Sequence, residues 1–258
     1  MFASLCPENH SMSLHPQVQQ LIRQVEALSG RLVHVTEDPS LKVMAKIITA
    51  RGAAPAHFVS YRPGTQAVDY LVAYQLGFLV RLFSLPADQR WEVTATPAQQ
   101  QAGIEAMGLS QAAPEFAQAM INNIITQVRT YSIGARVDDW IWTHLPELRE
   151  QQEYSVRSQL AENSRALAPE IRQKFPKALV DTNTAMNAAY ATTWGAALKD
   201  ERFKIPYLAL GYASKAAELL AVLQDLPDDP TGDRTLVEGW AQILGLRSAI
   251  HFQLHLLT

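Results

Sequence analysis

The spacing of apolar residues changes along this chain, and the changes mark out its elements. Val18, Leu21, Ile22, Val25 and Leu28 recur at intervals of three and four, which predicts an amphipathic helix over residues 16–29. Pro16 suits its first turn and Gly30 its C-terminal cap. The period then shortens to two. RLVHVT over 31–36, MAKIITA over 44–50 and HFVSY over 57–61 read as three strands, with Arg51-Gly52 inside the second connection. Pro63-Gly64 breaks the chain before the most apolar stretch, QAVDYLVAYQLGFLVRLF over 66–83. That stretch predicts a helix about 27 Å long at about 1.5 Å per residue. Between Tyr70 and Val80 its only polar side chain is Gln75, so it is expected to be buried all round.

Beyond Leu85-Pro86 the pattern is helical almost throughout. Helices are predicted over 97–107, 114–131, 137–144, 151–167, 169–174, 176–198, 207–223 and from 235 to the C-terminus. LPDDPTGD over 226–233 reads as a solvated turn, with Asp233 the expected N-cap of the last helix. The expected fold is therefore α+β and predominantly helical: a small N-terminal three-stranded sheet, a buried central helix and a helical C-terminal half. A flexible lead-in over 1–14, an α+β region over 15–148 and a helical region over 149–258 packed on it are expected to form one compact unit.

Composition narrows the classes. Of 258 residues 48% are hydrophobic and 18% charged, which fits a folded domain with a sizeable core rather than a disordered chain. The formal net charge of -3, with no run of like charge, gives no nucleic-acid footprint. A single cysteine, Cys6, excludes an internal disulfide and suits a cytoplasmic setting. The first ten residues lack a basic region and an apolar core, so they do not read as a signal peptide. The apolar helix is interrupted by Asp69, Gln75 and Arg81, so no membrane span is expected.

The three-strand-then-helix order and the central helix carry a resemblance. Residues Tyr74-Gln75-Leu76-Gly77-Phe78, preceded by Asp69-Tyr70 and followed by Arg81-Leu82-Phe83, resemble the active-site helix of the HExxH-type, zincin-like bacterial metallopeptidases (IrrE-like and ImmA-like). In that family two histidines at i and i+4 bind zinc and the intervening glutamate activates water. The glycine is kept here, but Tyr74 and Phe78 stand at the histidine positions and Gln75 at the glutamate. Downstream, Ser132-Ile133-Gly134, Val137-Asp138 and Pro146-Glu147-Leu148-Arg149 are similar to the stretch that supplies the third ligand, which places Asp138 at a glutamate position. The resemblance covers residues 15–150.

What it implies is a pseudopeptidase. A phenol is a poor zinc ligand beside imidazole, phenylalanine offers no lone pair, and glutamine cannot take a proton from water. Tyr74, Gln75, Phe78 and Asp138 would form a vestigial site with no catalytic residue, cofactor or metal. The function implied is binding of a protein partner as a regulatory or structural subunit. One alternative is a metallopeptidase with an unorthodox site built from Asp138, His251 and His255, the two histidines lying at i and i+4 on the last helix. Another is an unrelated helical interaction protein. Gln75 and Asp138 would be the polar contacts for any small molecule in the vacated pocket. Asp138 and Asp139, adjacent on a helix, are expected to point apart. Cys6, His10, His15, His34, His57 and His144 show no ligand spacing. Trp140, Trp142, Trp194, Tyr207, Tyr212 and Trp240 are anchors, for helix packing or for a partner.

Overall fold

The computed structural model describes residues 14–256. The lead-in read over 1–14, with Cys6 and His10, lies outside the described residues except for Leu14.

Helix α1 spans Pro16–Ser29 and ends where Gly30 turns left-handed at φ 67°. Its buried stripe is Val18, Leu21 and Val25. Strands β1 (Leu32–Glu37), β2 (Ala45–Ile48) and β3 (Ala56–Tyr61) form a sheet in the order β1-β3-β2. β1 runs parallel to β3, with Val33 opposite His57 and Val35 opposite Val59, while β2 runs antiparallel with Ile47 opposite Val59. The period-two alternation sends Val33, His57, Val59 and Tyr61 into the core and leaves Leu32, His34 and Phe58 outside.

Helix α2 (Val68–Ser84) packs against α1 and the inner side of the sheet. No residue from Val68 to Phe83 is exposed, as its all-round apolar pattern requires. The chain continues through a short strand β4 (Trp91–Thr94), α3 (Pro97–Ala106), the long α4 (Pro114–His144), α5 (Arg149–Arg165), the single-turn α6 (Pro169–Arg172), α7 (Lys177–Ala197), α8 (Ile205–Ala209), α9 (Ala213–Asp225), α10 (Asp233–Ile243) and β5 (His251–Leu254). The architecture is α+β and mostly helical. No described helix is long and apolar enough to cross a membrane.

Four local expectations are corrected. The helices expected over 114–131 and 137–144 are one helix of 31 residues. Ser132 does not interrupt it, because its hydroxyl donates to the Val128 carbonyl at 2.7 Å within the helix. The helix expected over 207–223 is split by Gly211, at φ 87°, into α8 and α9. The last helix stops at Ile243, and Gly245 at φ 72° turns the chain. His251–Leu254 then pairs antiparallel with β4, Phe252 opposite Val93 and Leu254 opposite Trp91. Phe252 meets the Trp91 ring at 5.1 Å, so the alternation in HFQL outweighs its helical spacing. Finally, Asp233 is the first residue of α10 rather than its N-cap, which is Gly232.

Candidate functional site

Helix α2 crosses α4 where two glycines remove the obstacle of a side chain. A Cβ on Gly77 would lie 2.4 Å from Val137 Cγ1, and one on Gly134 would lie 2.1 Å from the Tyr74 hydroxyl. The close approach puts Tyr74 and Phe78 over Gly134, their rings edge to face at 5.2 Å. The Tyr74 hydroxyl donates to the Thr130 carbonyl at 3.4 Å. The guanidinium of Arg129 lies 5.3 Å over the Phe78 ring. One helical turn beyond Gly134, Asp138 enters the same contact.

Asp138 is 3% exposed and its carboxylate gathers groups from three other helices. Tyr70 of α2 donates to Oδ1 at 2.7 Å. Gln152 of α5 donates to Oδ1 at 3.2 Å and to the Asp138 carbonyl at 2.9 Å. The indole of Trp194 of α7 also lies near enough to help hold the carboxyl's pKa down. Asp139 is exposed, so the adjacent acids do point apart. Burial pushes Asp138 up to about 7, against Tyr70, Gln152 and Trp194 and with help from the Asp139 charge. Burial, then the neighbouring Asp138 charge, lifts Tyr70, Tyr74 and Tyr190 well above the ordinary phenol value. These phenols stay protonated at neutral pH and offer no phenolate ligand. Gln75 is half-buried and is not among the donors to Asp138.

The candidate histidines go elsewhere. His251 is exposed on β5, whereas His255 is 2% exposed, with Nε2 3.0 Å from the Ala50 carbonyl and Nδ1 3.8 Å from Glu92. They do not share a helix face. His57, fully buried, accepts from the Ala50 N–H through Nδ1 at 2.9 Å, so His57 and His255 engage the N–H and the carbonyl of one residue, Ala50, beside Phe83. Burial depresses His57 to about 4 and lowers His255 also. His144 stacks on Trp140 and His34 lies against Phe58. Among the described residues no three His, Cys, Asp or Glu side chains gather closely enough to hold a metal ion.

The 226–233 segment is a turn exposed at Pro227, Asp228 and Thr231, but its last residue, Asp233, is buried. Asp233 receives Arg81 in a fork, Nε at 2.7 Å and Nη2 at 2.8 Å, and Arg136 Nη1 at 2.9 Å. Asp228 pairs with Arg81 at 2.9 Å, and the Leu226 carbonyl accepts from Arg136 at 3.2 Å. This ionic knot, buried at Arg136 and Asp233, ties α2 and α4 to the start of α10. Of the aromatic anchors, Trp194, Tyr207 and Trp240 are buried and fill gaps between helices. The sequence points to Asp138 as a site residue, but to Tyr70 only as part of the resemblance, to Trp194 only as an anchor, and to Gln152 not at all. The four-residue spacing of Tyr70 and Tyr74 was the one signal that both phenols share a helix face.

Comparison with protein-family models, with curated proteins and with solved structures gives no match to this chain.

Proposed function

We propose that this protein is a catalytically silent, zincin-like pseudopeptidase that acts by binding another macromolecule. The observation that carries the reading is the crossing of α2 and α4. Tyr74 and Phe78, the residues at the histidine positions of the resemblance, meet α4 at Gly134, one turn from Asp138. Aromatic rings fill the space where a metal and its ligands would sit, and they gain packing that a vacated site would lose. The sheet-then-helix order of β1, β2, β3 and α2 supports the same reading.

The binding half of the reading rests on the outer face of the sheet. Ile48, opposite Phe58 in the register, and Leu32, opposite Ala56, are 55% and 57% exposed, and Phe58 is 42% exposed against His34. Val43 and Met44, also exposed, precede β2, with exposed Lys46 between Met44 and Ile48. A row of exposed apolar side chains across three strands suits a protein partner. The metallopeptidase alternative gains no support, since His255 is engaged by Ala50 and Glu92 and His251 is exposed.

The test is the metal content of the purified, untagged protein after exposure to zinc and desalting, read by elemental mass spectrometry. Less than about a tenth of an equivalent is expected from a donor set without imidazole. Close to one equivalent would overturn the proposal.

A further inference from the structure

On the side of Asp138 that faces α7, the structure holds a cavity of about 50 Å³. At the about 10–15 Å³ that one water-sized group needs, that is room for some three to five such groups. Asp138, Trp194 and Trp240 lie at its buried end, Tyr190 and Trp142 on its half-buried wall, and exposed Asp139 at its mouth. The aromatic rings are mutually braced: Trp142 stands edge-on to Trp194 at 5.5 Å, and Tyr190 meets Trp194 at 6.4 Å. Asp138 and Asp139 both border the space, one at its buried end and one at its mouth, and no lysine, arginine or histidine does. The cavity is therefore apolar in its walls and acidic in its charge.

We propose that this cavity is a binding site for a small organic cation of the methylated-ammonium class. Aromatic faces attract such a cation through their quadrupoles, and a buried carboxylate supplies the counter-charge that water cannot. Size sets the upper limit near trimethylammonium, with four heavy atoms, whether as a free amine or as the terminus of a longer ligand entering past Asp139. Asp138 is already oriented by Tyr70 and Gln152, so no side chain has to be recruited when the cation enters. A cation beside it would also offset the desolvation that now raises its pKa. The site shares Asp138 with the pseudopeptidase reading but does not use the contact between Tyr74, Phe78 and Gly134, so a failed cation titration and a zinc-binding native chain are separate outcomes.

The experiment is a titration of the full-length protein with trimethylammonium chloride, followed by tryptophan fluorescence and by thermal unfolding. Sodium chloride at equal ionic strength and tert-butanol, a neutral molecule of similar shape, are the controls. A saturable fluorescence change and a raised melting temperature are expected with trimethylammonium alone. Asp138→Asn should weaken binding by about tenfold or more. Ala197 is exposed and lines the cavity at the end of α7, so Ala197→Trp should block entry without disturbing the core and abolish the response. An equal response to tert-butanol, no saturable response at all, or an unchanged affinity in Ala197→Trp would overturn the proposal.

Discussion

Asp138 is the residue on which the interior of this protein turns. Its carboxyl is pushed from an ordinary 3.8 up to about 7 by burial. A carboxyl whose folded pKa is raised favours the folded state fully below its unfolded pKa, and that contribution is lost as pH climbs from 3.8 through 7. The loss is on the order of 4 kcal/mol. His57 works in the opposite direction: depressed from 6.5 to about 4, it supports folding above 6.5 and loses that support as pH falls through 4. Asp138→Asn separates the two. Its stability by urea unfolding should gain on the wild type steadily from pH 4 to 7, and a constant difference across that range would contradict the assignment. Gly134 gives a second residue-scale prediction. Gly134→Ala should cost about 1–3 kcal/mol by forcing a methyl against the Tyr74 hydroxyl. Tyr74→Phe should recover part of that loss in the double variant, measured as a coupling energy. Asp233→Asn leaves Arg81 and Arg136 short of a buried counter-charge and should cost about 3–5 kcal/mol in the same assay.

At the scale of elements, the helices and strands that carry a strong period were legible, and those that carry two periods were not. The three N-terminal strands and α2 match the reading within about two residues, since each alternates or is apolar without interruption. HFQLH satisfied both an i, i+4 helix spacing and a strand alternation, and only the presence of β4, a short strand in WEVT, decides between them. The break expected between Tyr131 and Val137 falls on Ser132 and Gly134, residue types that local propensity disfavours inside a helix. The gap that Gly134 opens is used by Tyr74 from another helix, a tertiary reason that no window of sequence contains. The partners of Asp138 were hidden for the same cause, lying 68 residues before it and 14 after it in the chain. The outer face of the sheet yields the prediction proper to this scale. Replacing Ile48 and Phe58 together by serine should leave the melting temperature nearly unchanged, because both side chains are exposed. The same variant should lower the binding of an apolar dye such as anilinonaphthalene sulfonate. Undiminished dye binding would show that the apolar row on this face is not the surface the dye reads.

Over the whole molecule, α2 is the common wall. One side faces the sheet and α1, another meets α4 and the Asp138 cluster, and its C-terminal end is bound through Arg81 to Asp233 at the start of α10 and to Asp228 in the loop before it. A frame arranged in this way can hold a rigid binding surface without any catalytic group. The account's central claim is that Tyr74, Phe78 and Asp138 occupy the positions of three metal ligands. The most direct measurement is the zinc content of the variant Tyr74→His, Gln75→Glu, Phe78→His, Asp138→Glu beside that of the native chain, by elemental mass spectrometry after desalting. The account predicts about one equivalent of zinc in a folded variant and less than about a tenth in the native protein. A folded variant that holds no more zinc than the native chain would contradict it.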